Sequence, residues 1–152
     1  MSDKATITDA DLILKLYDLR REPEMRKARN WWVVSFNPES VEDFMKIATA
    51  LGTQENAWLR QVGGYWELAA SLVHHGTLNA GLFLEPSFSG EMFLIFSKVQ
   101  PFLKELREKL NNPAIFANVE KLITSSKDGM ERVRATQERL AMFRKMQLAK
   151  AS

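Results

Sequence analysis

Apolar residues recur every three or four positions along nearly the whole chain, and nowhere does an alternating run of strand length stand between two turn signals. That period is the signature of amphipathic helices, and it leaves little room for a sheet. Leu12, Ile13, Leu16 and Leu19 form the first stripe. Val41, Phe44, Met45, Ala48 and Leu51 form another, and Trp58, Val62, Tyr65, Trp66, Ala69, Leu72 and Val73 the longest. Phe93, Phe96, Val99, Leu103, Leu106 and Leu110 follow, then Ile115, Phe116, Val119, Leu122 and Ile123. The expected fold is all-α, an irregular bundle of six or seven helices.

Punctuation sets the boundaries. Thr8, followed by Asp9 and Asp11, has the form of a helix start, and Pro23 opens a second segment. Asn37-Pro38-Glu39-Ser40 is a turn leading into a helix capped by Ser40. Gly52 and Gly76 are natural stops, whereas Gly63-Gly64, in mid-helix, implies a close crossing or a kink. Ser89 is expected to cap a long segment bent at Pro101, and Asn112-Pro113 to start the next helix. From about residue 128 a long last helix carries only a narrow stripe, Met130, Val133, Leu140, Phe143 and Met146, and is expected to form a helical arm of one domain spanning residues 1–152.

Composition then removes whole classes of chemistry. There is no cysteine, so disulfides, thiolate metal sites and cysteine nucleophiles are excluded. The N-terminal residues are polar, and no apolar stretch approaches the ~20 residues needed to span a bilayer, so a cytoplasmic protein without membrane insertion is expected. The formal charge of +2 hides an asymmetry. Residues 37–76 hold two basic and five acidic groups, whereas residues 113–152 hold eight basic and four acidic. Such a pattern suits docking within the protein, between two copies, or onto an anion.

Three constellations stand out. His74 and His75 are the only histidines, but adjacent residues point about 100° apart on a helix and no Glu-x-x-His spacing accompanies them, so a helix-terminal role is the plainer reading. Arg20, Arg21, Arg26, Lys27 and Arg29 precede Trp31 and Trp32, a mixture suited to phosphates and stacked bases. Glu22 and Glu24 lie among them and can pair along the helix with Arg26 and with Lys27 or Arg21, neutralising the cluster locally. Of Trp31 and Trp32, one should be core and the other a dimer surface or ligand wall. Arg26, Arg29, Arg132 and Arg139 are the candidate anion-binding residues. No nucleophile elbow, Walker pattern or dinucleotide glycine pattern occurs, and no cofactor is expected. Helical spacing makes most aromatics core residues, and any ligand pocket would be expected in the glycine-broken stretch 76–90.

The run Tyr65-Trp66-Glu67-Leu68-Ala69-Ala70-Ser71-Leu72-Val73-His74-His75-Gly76-Thr77-Leu78-Asn79, with Arg107, Asn112-Pro113 and the segment 116–122, resembles a bacterial family of small all-helical domains of unknown function. The resemblance covers residues 58–123. It implies an all-α fold and no known activity. Some relatives carry an N-terminal hydrophobic anchor that is not seen here. The resemblance also suggests that Glu67, in an otherwise apolar stripe, pairs with Arg107 across two helices, a contact that would fix register more than add stability.

The sequence therefore points to a non-enzymatic helical interaction domain, a homodimer burying part of the last helix and an exposed Trp, with a different protein partner as a variant of that reading. Two alternatives remain: an anion or nucleic-acid binder using the basic face of residues 121–150 and the cluster from Arg20 to Arg29, and a small-ligand site or enzyme near Glu67, His74 and His75.

Overall fold

The computed structural model describes residues 4–152. The chain forms α1 (Ile7–Leu19), α2 (Pro23–Asn30), α3 (Val41–Ala48), α4 (Gln54–His74), α5 (Ala80–Phe83), α6 (Pro86–Val99), α7 (Leu103–Lys109), α8 (Ala117–Ser125) and α9 (Gly129–Ala151). A π-turn, Trp31–Ser35, extends α2, and a 3-10 turn, Gln100–Phe102, separates α6 from α7. No strand occurs among the described residues.

α4 is the axis of the bundle. It packs most extensively against α8 and α2, while α6 packs against α9. Trp32, Trp66, Phe83, Phe93 and Phe96 are buried almost completely where these layers meet. The rings meet mostly edge to face, as in Trp66 against Phe88 at 5.6 Å and Trp32 against Phe36 at 5.0 Å, the arrangement that ring quadrupoles favour.

Several boundaries differ from those expected, each for a local reason. α1 starts two residues early, because Thr6 is the cap: its hydroxyl accepts from Asp9 N while Asp9 accepts from Thr6 N, a capping box. Asp9 also accepts from Asn79 N at 2.9 Å, tying α1 to the start of α5. α6 begins at Pro86, so Ser89 lies inside it, its hydroxyl donating to Glu85 O. Pro101 ends α6 through the 3-10 turn. Asn112-Pro113 does not start a helix; the chain turns until Phe116, whose φ of +52° is left-handed, and α8 opens after it.

Gly63-Gly64 leaves α4 continuous, and Gly63 lies at the crossing with the segment entering α8: a Cβ there would stand 3.6 Å from the Phe116 ring. The stretch 76–90 is filled rather than hollow, since Phe83 and Phe88 turn inward onto Trp66.

α9 divides into two halves. Up to Leu140 it lies on the body, with Val133 and Thr136 buried; every residue from 141 onward is exposed. The arm expected from about residue 128 is packed on the body as far as Leu140, and only the part from residue 141 is exposed throughout.

Candidate functional site

Glu67 and Arg107 do not pair. α8 begins after a left-handed phenylalanine that offers no capping side chain, so its first amides need an acceptor from elsewhere. Glu67 supplies it from α4, accepting from Val119 N at 2.8 Å and Asn118 N at 3.2 Å. A carboxylate at a helix N-terminus also opposes the positive end of the dipole. Arg107 turns instead to Glu120 at 3.0 Å and Ile115 O at 3.0 Å.

His74, two turns beyond Glu67 on α4, donates to Asn118 O at 2.9 Å, since a carbonyl can only accept. His75 is the exposed C-terminal cap residue of α4. Glu67 and His74 thus clamp the start of α8 onto α4. Beside Glu67 a shallow hollow of about 220 Å³ is lined by Arg60, Asn112 and Phe116, and His74 is not part of it. Among the described residues no cluster of three or more His, Asp or Glu side chains is placed to hold a metal ion.

The four candidate anion-binding arginines are not brought together. Arg29 is bound to Glu91 at 2.7 Å. Arg132 donates to Leu84 O and Ser89 Oγ and lies 3.7 Å over the Phe93 ring. Arg139, on the exposed side of α9, donates to Thr136 Oγ1, and Arg26 is exposed on α2. Trp32 is core, as one of the pair had to be. Trp31 is only half-buried and stacks on Phe36 at 4.5 Å, so neither ring is an exposed dimer anchor.

A cleft lies where the sequence offered no motif. It has a volume of about 920 Å³ and separates the distal half of α9 from the π-turn, the Asn37-Pro38 turn and the end of α6. At its floor Lys98, 7% exposed, donates to Trp32 O at 2.5 Å, Phe36 O at 2.9 Å and Val33 O at 3.2 Å. These are carbonyls at the C-terminal end of the α2 and π-turn segment, where a cation opposes the dipole and satisfies otherwise orphaned acceptors. Among the described residues no carboxylate pairs with it, and the acceptors that meet it are backbone carbonyls. Arg144 crosses the mouth of the cleft to pair with Glu39.

Burial pulls the Lys98 ammonium down from 10.5 to about 8. Between these values the folded chain has released a proton that the unfolded chain still holds. Stability therefore rises with pH across about 8 to 10.5, and the penalty for burying the charge is complete below that window. Urea midpoints measured from pH 7 to 10 are expected to show the wild type gaining stability relative to Lys98→Met as pH rises. A difference independent of pH would mean that the ammonium is not penalised by burial.

A family model described as a domain of unknown function, DUF4760, matches residues 5–126. The match takes in α1 to α8 and ends before α9. No curated protein and no solved structure matches the chain.

Proposed function

The chain belongs to the DUF4760 family, domains of unknown function, and from that premise we propose that it is a non-enzymatic interaction module that self-associates through the distal half of α9. The observation that carries the reading is the exposure of that half: eleven consecutive helical residues, 141–151, are exposed, and Met142 and Met146 lie one turn apart on the side turned away from the cleft. A helix end with bare apolar side chains gains stability only when something covers them.

Charge complementarity favours a second copy as the cover. Residues 139–152 carry four cations, Arg139, Arg144, Lys145 and Lys150, and no acid. The segment 37–76 is net acidic and leaves Leu51 and Leu68 exposed. Reciprocal docking of each arm onto the α3–α4 face of the other copy would be closed and two-fold. The Arg144–Glu39 pair is a contact between arm and acidic segment within one chain. No described helix is long and apolar enough to cross a membrane; a cytoplasmic location belongs to the same proposal.

Light scattering after size exclusion is the test. A dimer is expected at micromolar concentration, weakened by salt and reduced to monomer in Met142→Glu/Met146→Glu with the far-UV spectrum unchanged. A strict monomer in the wild type would overturn the reading.

A further inference from the structure

The cleft at the root of the arm lies on the side of α9 turned away from Met142 and Met146, the apolar pair on which self-association rests. Its walls are apolar, Val34 and Phe102 from the body against Leu140, Phe143 and Leu148 from α9. Three cations border it, Lys98, Arg144 and Lys145, against one carboxylate, Glu39, which Arg144 already holds. Among the described residues the charge of Lys98 is met by carbonyl oxygens alone. Lys145 has no side-chain partner among the described residues. A cationic group that no carboxylate neutralises, set in apolar walls, focuses positive potential into the space between them.

We propose that this cleft binds a single-chain amphiphile with a carboxylate head, a ligand of the fatty-acid class. Its alkyl chain lies between Phe143 and Val34, and its carboxylate meets Lys145 and Arg144 at the rim. The volume of about 920 Å³ falls within the ~300–1,000 Å³ typical of small-molecule sites. A second copy of the arm fits less well, because a basic helix would be placed against a cationic rim. An uncharged lipid would leave Lys145 without a partner. The inference does not depend on self-association, which uses Met142 and Met146 on the opposite side of α9.

The test is a titration with 11-(dansylamino)undecanoate, followed by dansyl fluorescence. Saturable binding of one probe per chain is expected, displaced by dodecanoate about tenfold more effectively than by dodecanol, a difference of about 1.4 kcal/mol. Val34→Glu, at an exposed position, sets a carboxylate on the wall and should weaken binding at least as much without altering the far-UV spectrum. Lys145→Glu should weaken it without affecting dodecanol. Absence of saturable binding, equal competition by dodecanol, or full affinity in Val34→Glu would each overturn the proposal. Repeating the titration on Met142→Glu/Met146→Glu, with the mass recorded by light scattering, separates this outcome from that of self-association: the probe should still bind the monomer.

Discussion

Glu91→Ala is expected to cost about 3–5 kcal/mol, the range for removing one partner of a buried ion pair. The Glu91 carboxylate, 6% exposed, sits between two guanidiniums and an indole. It accepts from Arg29 Nε at 2.7 Å and Trp66 Nε1 at 3.1 Å, and lies 3.8 Å from Arg20 Nη2. Arg20 is itself buried, with its guanidinium against Tyr17, Trp66 and Phe88 at 5.1, 5.3 and 5.7 Å and one donor on Phe88 O. Two cations therefore share one anion, and truncating the anion strands both, together with the indole N–H.

The reverse change is milder. Arg29→Met should cost clearly less, because Arg20 and Trp66 continue to satisfy the carboxylate. Arg29 is also the more exposed of the two arginines, at 27%. A loss of 3–5 kcal/mol corresponds to a fall of roughly 10 °C in a domain of this size. Thermal unfolding by circular dichroism checks both variants, and the ordering decides the matter. If Arg29→Met proved as damaging as Glu91→Ala, the carboxylate would not be the centre of the network.

Arg29, which the sequence offers as an anion-binding residue and the fold pairs with a carboxylate, shows how much of this molecule can be read from its residues. The helical stripes were legible because period depends only on neighbours three and four positions away, and the buried faces of α3, α4 and α8 follow it closely. Pairing was legible at the same range: Lys27 does bind Glu24 at 2.8 Å. Glu22, also offered as a partner for the arginines, caps α2 instead by accepting from Met25 N. Arg29 binds Glu91, sixty-two positions away, and no periodicity reports a separation of that size.

The same holds for Lys98, whose three acceptors lie 62 to 66 positions upstream. A signal was nevertheless available. In the run Met92-Phe93-Leu94-Ile95-Phe96-Ser97-Lys98-Val99 nearly every residue is buried, and a lone lysine in such a run must find acceptors inside the fold. The cleft was not legible at all. It forms only because α9 leaves the body after Leu140, so residues that share no motif come to face one another across open space. Glu67 stands out in the sequence as a polar residue in an apolar stripe. Its partner was misassigned because the need it meets, uncapped amides, arises from the backbone of α8 and not from an opposite charge.

That departure of α9 is set at its first residue, which leads to the second large effect. Gly129→Ala is expected to lower stability by about 3 kcal/mol, at the upper end of what overpacking a tight site costs. Gly129 is buried and its φ is not positive, so conformational freedom is not the reason glycine stands there. Space is the reason. A Cβ on Gly129 would overlap Ile123 O and Ser126 Oγ and stand 2.7 Å from the Ile123 carbonyl carbon. The serine could swing away, but the carbonyl belongs to the last turn of α8 and cannot move without loosening α8 from α4.

Relief must come from a shift of α9 against α8, and α9 is packed along α6 through Val133 and Thr136. Urea denaturation of Gly129→Ala measures the loss. Gly129→Ser should be no better, since its larger side chain meets the same carbonyl. Because the direction of α9 also sets the width of the cleft, a folded Gly129→Ala protein should bind dansylundecanoate more weakly, although none of the cleft-lining residues has changed. Unaltered stability in Gly129→Ala would mean that the α8–α9 joint yields easily, and that the angle of the arm is not fixed where the two helices meet.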